Sequence, residues 1–335
     1  MHRWIFLLTA FSGWTMGEEG EVASEPSFWK GGTLEIYEEN DRVRKSDRNY
    51  TQGLRITFTT ADRQMPNWVD KIPYIDKENY TANLSLFIGQ DIYTPRDITI
   101  PTLTVDDQPY AGWLYGGFAV NRRNNRKLDR IEFSFGVVGP ASWADEVQTE
   151  WHRLIGVELP EGWGHQLKNE PTINITYHRK WKVRELELPQ KLVDRAFEGQ
   201  FLPHVGWALG NVYTHLNVGN TIRFGYNLPD DFGRGTIGQG GPPALGVLER
   251  RSNWSVYLFG GVDGRFVIRN IFLDGNTLTN SHSVDKERFA GDLKFGLAVG
   301  WKRLSISLTH VIRSREFQTQ RSQHEFGSLN IGYKF

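Results

Sequence analysis

The chain ends on the stretch Ser328-Leu329-Asn330-Ile331-Gly332-Tyr333-Lys334-Phe335, in which polar and apolar residues alternate. Successive side chains of a β-strand point to opposite faces, so the alternation puts the apolar side chains, Phe335 among them, on one face. Outer-membrane barrels present such a terminal aromatic residue, closing an amphipathic strand, to the machinery that assembles them. The stretch therefore predicts the last strand of an outer-membrane β-barrel, with the barrel assembly machinery as a partner.

Similar segments recur along the chain and bring the predicted strands to about twelve, an even number. They cover residues 33–39, 52–60, 81–93, 111–121, 128–139, 172–178, 200–209, 212–226, 254–269, 288–300 and 304–309. Most are roughly ten residues long, the length that a tilted strand needs to cross a bilayer. Aromatic residues near strand ends are expected to form two interfacial girdles: Tyr80, Tyr93, Tyr110, Trp181, Trp254, Trp301 and Tyr333. The fold class is all-β, an antiparallel transmembrane barrel with a polar lumen and an apolar outer face.

The composition narrows the classes of protein that the chain can belong to. Its 335 residues carry 39 Lys and Arg against 39 Asp and Glu, a balance that argues against binding to nucleic acid. It contains no Cys, which excludes disulfides and cysteine-ligated metals. A mean hydropathy of -0.47 argues against membrane-spanning helices. Composition alone leaves two classes, soluble all-β proteins and transmembrane β-barrels, and the strand pattern and the terminal aromatic residue favour the second.

The first residues have the layout of a secretory signal peptide. Arg3 precedes an apolar stretch that is too short to span a bilayer, and Gly17 offers a small residue for cleavage, with Ala23 as a weaker second choice. We therefore expect residues 1–17 to be a signal peptide and residues 18–335 to form the barrel.

Residues 142–156 break the period-two pattern and predict one short helix, which in a barrel either plugs the lumen or packs against the wall. Ser142 is the expected N-terminal cap and Gly156 the expected terminator. Gln148 and His152 are four residues apart and so lie on one helix face. The expected packing face consists of Val147, Trp151, Leu154 and Ile155. No GxSxG or HExxH motif occurs, so from the residues alone the chain is a barrel with an unusual helix.

Six motifs in order then resemble the lipid A 3'-O-deacylases of the outer membrane. The resemblance is dense from Glu39 to about Glu170 and afterwards is one of strand pattern alone. The motifs are Glu39-Asn40-Asp41, Asn49-Tyr50-Thr51-Gln52-Gly53-Leu54, Gly89-Gln90-Asp91-Ile92-Tyr93-Thr94-Pro95, Asp107-Gln108-Pro109-Tyr110-Ala111-Gly112, the helix with the Gly136-Val137-Val138-Gly139-Pro140 stretch before it, and Gly162-Trp163 with Gln166-Leu167.

The resemblance implies a twelve-stranded barrel in the Gram-negative outer membrane. Such an enzyme removes the 3'-linked acyloxyacyl chain from the lipid A of lipopolysaccharide, with calcium as cofactor and with outer-membrane lipids around it. The site would lie between the barrel wall and the helix, near the outer leaflet, and would resemble that of phospholipase A2.

The resemblance also implies a role for each matched residue. His152 would be the general base that takes a proton from water, since a neutral imidazole suits that step near neutral pH. Asp41 and Glu158 would supply the hard oxygen ligands that calcium prefers. Asn40 and Thr51 would add donors to the oxyanion. Gln148 would orient His152 or the water.

One feature departs from the expected pattern. Residues 97–107 contain no Lys or Arg, although a loop there is expected to help hold the phosphates of lipid A through cationic groups. The basic residues of the next turn are candidates for that role, with a hydrophilic hairpin tip as the other interpretation: Arg122, Arg123, Arg126 and Lys127. The Gly- and Pro-rich residues 230–251 form either an extracellular lid or a disordered loop.

Three other functions remain open at this point. A phospholipase, or a deacylase of another glycolipid, would use the same scaffold on a different lipid. A porin or structural barrel would conduct ions, or only support the membrane, and would not need Asn40, Asp41 or His152. A soluble secreted β protein would partition into the aqueous fraction without detergent.

Overall fold

The structure is a computed structural model, and it describes residues 30–41, 48–62, 80–186, 197–233, 235–237 and 253–335. The predicted signal peptide lies outside the described residues.

The described residues form one antiparallel sheet of thirteen strands. They are β1 (Thr33–Asn40), β2 (Asn49–Thr59), β3 (Thr81–Thr94), β4 (Ala111–Arg123), β5 (Lys127–Val138), β6 (Glu170–Trp181), β7 (Arg184–Leu186), β8 (Phe197–Gly210), β9 (Tyr213–Tyr226), β10 (Trp254–Asn270), β11 (Phe289–Trp301), β12 (Leu304–Arg313) and β13 (His324–Lys334). The short β7 continues β6, because both pair with β8, so the two make one interrupted strand. Pairing of β6 with β8 and of β1 with β13 closes a barrel of twelve strands, as predicted.

Two helices lie in the loops of the described chain: α1 (Ala144–Ile155) between β5 and β6, and α2 (Ile271–Asp274) between β10 and β11. Neither is long and apolar enough to cross a membrane. Thr33, which begins β1, pairs with Lys334, which ends β13, so we call this end of the barrel the terminus end. The opposite end, where β1 stops at Asn40, carries both helices and is called the site end below.

The predicted polar lumen is confirmed, and it contains two clusters of paired charges. Arg265 and Arg313 both donate to the carboxylate of Asp292 at 2.9 to 3.1 Å, and all three side chains are buried. A second trio of the same kind consists of Arg55, Glu132 and Arg130. Charges removed from water are tolerated only when they are paired and hydrogen-bonded. The first trio joins the neighbouring strands β10, β11 and β12, and the second joins β2 to β5.

The chain after β9 folds back into the lumen from the terminus end. Asp231 forms a fully buried ion pair with Arg223 of β9. Farther along, the backbone N–H of Ile237 donates to Glu39 Oε1 at 2.8 Å, one residue before β1 ends at the site end. The described part of the predicted 230–251 loop therefore fills the barrel from the terminus end. Of the two interpretations of this stretch, the extracellular lid is wrong for these residues.

Aromatic side chains cover the lumen at the site end. Phe272 of α2 stacks on Tyr93 with ring centroids 3.8 Å apart, and the hydroxyl of Tyr93 lies 2.6 Å from that of Tyr213. The described residues thus fill the lumen near both ends. This arrangement differs from the water-filled channel of a porin.

The predicted aromatic girdle exists on the outer wall at the terminus end. Trp254, Trp301 and Tyr333 are exposed there, and the rings of the two tryptophans lie 5.8 Å apart. Amphipathic rings at this level suit the boundary between hydrocarbon and headgroups. The prediction is wrong for Tyr93 and Tyr110, which are buried.

Candidate active site

Helix α1 lies on the outer face of the barrel wall, over β3 and β4 at the site end. A Cβ at Gly112 of β4 would stand 2.1 Å from Ala144 Cβ and 2.2 Å from Ser142 Oγ, so only glycine allows this approach. From β3, Gln90 Nε2 donates to the carbonyl oxygen of Ser142 at 2.6 Å. The expected placement of the helix against the wall is confirmed.

The helix meets the wall with its polar face, which is the reverse of the expected packing. Its buried side chains are Ala144, Gln148 and His152. The expected packing residues point outward, with exposed fractions of 40% for Val147, 42% for Trp151 and 77% for Leu154. The reason is the solvent: on the outer wall of a membrane barrel an apolar face is stable against lipid, so it does not have to be buried in protein.

The two ends of α1 differ in how well the sequence predicts them. Ser142 does not cap the helix; it lies in a 3₁₀ turn before it, and its hydroxyl donates to the carbonyl oxygen of Gly139 at 2.6 Å. Trp143 is the first flanking residue, with φ of 55°. Gly156 does end the helix, in the left-handed conformation with φ of 69°, as the terminator rule predicts.

The imidazole of His152 is held in one orientation. It is 2% exposed, and its Nδ1 lies 2.5 Å from the backbone carbonyl oxygen of Glu158. A carbonyl oxygen can only accept a hydrogen bond, so Nδ1 carries the proton. The lone pair of the neutral ring is therefore on Nε2, as a general base requires.

Gln148 is fixed from the other side by a residue to which the sequence analysis gives no role. Trp163 Nε1 donates to Gln148 Oε1 at 2.9 Å, and both side chains are buried. Since indole N–H is a donor only, this bond sets the orientation of the amide. Gln148 Nε2 is buried and donates to no group in the part of the chain that the structure describes. Gln148 therefore does not orient His152 by a direct hydrogen bond, and its amide presents a donor to the site.

Asn40 and Asp41 mark the end of β1. Asn40 pairs with Gln52 of β2 and, by alternation with the buried Glu39, lies on the outer face of the wall. Asp41 follows it, is fully buried, and accepts a hydrogen bond at Oδ2 from the backbone N–H of Arg48 at 2.7 Å.

Thr51 lies at a bulge in β2, next to the end of β1. The bulge falls between Tyr50 and Gln52, and Thr51 Oγ1 is 2.7 Å from Thr94 Oγ1 of β3. Gln108 then ties the same strand ends together, because its Nε2 donates to the carbonyl oxygens of Asn49 and Thr94 at 2.8 and 3.1 Å. The site end of β1, β2 and β3 is thus one hydrogen-bonded unit.

The sequence analysis missed the positioning roles of Gln90, Gln108 and Trp163. All three lie within the six motifs that carry the resemblance, so the signal was present in the sequence. Their roles depend on which distant atoms they reach, and a motif does not state that.

The expected calcium ligands are the carboxylates of Asp41 and Glu158. The described residues contain no group of three or more His, Asp or Glu side chains that could hold a metal ion. The carboxylate of Glu158 is exposed, and the carbonyl oxygen of the same residue is the one that meets His152. Asp41 is a buried carboxylate, of the chemical kind that calcium prefers.

The loop between β3 and β4 contains the residues for which cations are expected. Burial raises the pKa of the Asp107 carboxyl, although the backbone N–H groups of Arg96 and Gln108 donate to it. The guanidinium of Arg96 lies 4.0 Å from Asp107 Oδ2. The pKa of Asp97 is lowered by hydrogen bonds from Thr99. Arg96, the basic residue that adjoins this segment in sequence, is therefore already next to a carboxyl group.

The alternative cations for phosphate binding lie at the wrong end of the barrel. Arg122 and Arg123 end β4 at the terminus end, where Arg122 donates to the hydroxyl of Tyr80 and Arg123 pairs with Asp62. Arg126 and Lys127 follow in the same hairpin, and so the hairpin-tip interpretation is the correct one. The reason is topological: strands that alternate in direction return each second loop to the same end.

Comparison with a family model identifies the chain. Residues 5–335 match the model described as outer membrane protein LpxR. The chain belongs to the LpxR family. It is thus an outer-membrane protein, as the strand pattern predicts, and the soluble alternative is excluded. The comparison with curated protein sequences gives no match.

A solved structure agrees with the barrel. LpxR from Salmonella typhimurium superposes with a TM-score of 0.72 at 22% sequence identity, over 90% of this chain and 100% of that one. At this identity the likeness shows the fold. The β domain of the Bordetella autotransporter BrkA gives a TM-score of 0.43 at 10% identity, over 91% of this chain and 98% of that one.

Proposed function

We propose that this LpxR-family barrel is an ester hydrolase that removes the 3'-linked acyloxyacyl chain from lipid A in the outer leaflet. The observation that carries the proposal is the hydrogen bond of His152 Nδ1 to the Glu158 carbonyl, which leaves a basic Nε2 on a buried helix face. Family membership supports the substrate, and the position of α1 on the outer wall supports access from the membrane.

The reaction needs one base and one water molecule. His152 Nε2 takes a proton from the water as its oxygen adds to the ester carbonyl carbon, which gives a tetrahedral intermediate. When the intermediate collapses, the bond to the sugar oxygen breaks and the proton on Nε2 moves to that oxygen. The products are a free acyloxyacyl acid and the 3'-hydroxyl of lipid A.

The negative charge that develops on the carbonyl oxygen needs donors already in place. Gln148 Nε2 is a buried donor that the bond from Trp163 holds in a fixed orientation. Asn40, on the outer face at the end of β1, can supply a second donor, and Thr51 a third when its proton is not given to Thr94. A preorganised donor of this kind accounts for about a hundredfold or more in rate.

Calcium is part of the proposal as an added cofactor. Asp41 would hold it through its carboxylate, and Glu158 would contribute an oxygen, with further oxygens from backbone and water making up the six to eight ligands that calcium takes. When bound, the cation would polarise the ester carbonyl. The residue roles described above do not depend on its geometry.

The test uses purified, folded protein in detergent with lipopolysaccharide and calcium. Mass spectrometry of the lipid A should record loss of the acyloxyacyl mass with the natural chain and no loss with His152→Ala. Heat-modifiable mobility on a gel establishes that both barrels are folded. If lipid A is unchanged with both folded proteins, the proposed function is wrong. Release of fatty acid from phospholipid instead would indicate a phospholipase.

A further inference from the structure

A groove of about 760 Å³ runs over the outer wall of the barrel, on the strands that follow β1 around the sheet away from α1. Five strands contribute to it: β10, β11, β12, β13 and β1. Its apolar lining comes chiefly from Leu258, Phe295, Leu297, Leu308 and Leu329. No step of the reaction described above uses these residues.

The strand register arranges the floor of the groove in a single row. Leu258 pairs with Leu297, Leu297 with Leu308, Leu308 with Leu329, and Leu329 with Glu38. Four interstrand steps of about 4.8 Å make the row roughly 19 Å long. One leaflet of hydrocarbon is about 15 Å thick, half of the roughly 30 Å core, so the row has the length of one membrane acyl chain.

The row is oblique to the barrel ends. Glu38 lies two residues before the site end of β1, whereas Leu258 lies twelve residues before the site end of β10. A chain that follows the row from Glu38 therefore descends from the site end towards the middle of the membrane. That is the path of an acyl chain whose ester group lies near the membrane surface.

Polarity changes along the groove in the same direction. Its outward-facing polar side chains, Glu38, Asn40 and His310, belong to the part nearest the site end. A second row of residues lies on the same outer face, two residues closer to the site end. In it Phe295 pairs with His310, His310 with Gly327, and Gly327 with Asn40. At Gly327 the wall therefore presents no side chain beside Asn40, one of the proposed oxyanion donors.

We propose that this groove binds an acyl chain of the lipid substrate, with the ester at Asn40 and the methyl end at Leu258. The proposal rests on the proposed function, because it takes the outer face at Asn40 as the place where the ester lies. Continuity with that site, the apolar floor and the descent into the bilayer all favour an acyl chain over a peptide or a second barrel.

The first experiment fills the groove without touching the site. Leu308→Trp adds bulk in the middle of the row, at a side chain that is 58% exposed. Ile306→Trp is the matched control, since Ile306 lies two residues away on the same strand, faces outward and is not part of the groove. We expect Leu308→Trp to raise KM for full-length lipid A about tenfold and to leave a short-chain ester analogue unaffected. Ile306→Trp should change neither.

Equal effects of the two variants, or an equal loss on both substrates, would overturn the groove assignment. A second measurement separates this outcome from failure of the proposed function, because it needs no turnover. The probe is lipid A with a photoreactive group on its 3'-acyl chain, crosslinked to the His152→Ala protein. We expect adducts in peptides from residues 304–334. Adducts spread evenly around the outer wall would mean that ordinary membrane lipid covers the groove. Adducts confined to the groove, together with a natural-sequence protein that leaves lipid A unchanged, would keep the groove and reject the hydrolase.

Discussion

The Nδ1 atom of His152 lies 2.5 Å from the backbone carbonyl oxygen of Glu158, six residues further along the chain. The contact closes the turn after α1 onto the last turn of the helix, where the N–H groups of Gly156 and Val157 also bond to the carbonyl oxygen of His152. His152 is thus held by both its ring and its backbone. This double attachment fixes Nε2 relative to the wall.

His152→Asn should separate the structural part of this contact from the chemical part. The amide of Asn can still donate to the Glu158 carbonyl, but it has no basic nitrogen to take a proton from water. We expect the loss of about a hundredfold to ten-thousandfold in kcat that removal of a general base causes. Heat-modifiable mobility and lipid binding should be unchanged. Activity near that of the natural chain would exclude His152 as the base.

Trp163→Phe should weaken catalysis through Gln148 while keeping the packing of an aromatic ring on Tyr110. The change removes the N–H that donates to Gln148 Oε1 at 2.9 Å, so the amide is free to turn. We expect kcat to fall about tenfold, the order of magnitude of a weakened preorganised donor, with little change in KM. Trp151→Phe on the exposed face of α1 is the control and should have no effect. A rise in KM alone would mean that Trp163 only shapes the binding site.

Gly112→Val should move α1 off the wall without opening the barrel. The added Cβ would meet Ala144 Cβ at 2.1 Å and Ser142 Oγ at 2.2 Å, which the helix can relieve only by shifting. We expect loss of most activity with normal heat-modifiable mobility. The control is Gly264→Ala on the outer face of β10, where the nearest atom to a new Cβ is 3.9 Å away. A fully active Gly112→Val protein would contradict the need for close helix contact.

Asp292→Asn should destabilise the barrel itself. The carboxylate accepts hydrogen bonds from two buried arginines, Arg265 and Arg313, and its loss leaves their charges uncompensated. Breaking a buried ion pair costs about 3 to 5 kcal/mol, so we expect a clear fall in the temperature at which the heat-modifiable band is lost. Arg153→Ala removes an exposed pair with Glu150 and should leave that temperature unchanged. If both variants lose the heat-modifiable band at the same temperature, the lumen trio does not have the stabilising role assigned to it.

Chelation tests the proposed cofactor. If Asp41 holds calcium, a chelator should abolish lipid A hydrolysis, and added calcium should restore it where magnesium does not, because calcium accepts the larger, more flexible oxygen set. Asp41→Asn should require more calcium for half-maximal activity. Full activity in excess chelator would remove calcium from the proposal and leave the His152 chemistry in place.

The strands and their faces could be predicted because the signal is local. From Leu329 to Phe335 every second side chain is apolar, and Ile331, Tyr333 and Phe335 are indeed exposed on the outer wall. The proposed site residues come from motifs at strand ends and on α1. The motifs do not show what these residues do, because their partners lie in the loop after the helix. Gln148 accepts from Trp163 Nε1, and His152 donates to the backbone carbonyl of Glu158.

The sequence by itself determined an antiparallel outer-membrane barrel interrupted by one helix, since period two and an amphipathic segment that ends at a glycine are properties of neighbouring residues. Only the tertiary structure decided which face of α1 meets the wall and which loops share the site end. Amphipathicity cannot settle the first question, because lipid is as apolar as a protein core and the apolar face of Val147 and Trp151 is stable against either. The second depends on strand direction, which puts Arg122 and Asp41 at opposite ends of the barrel.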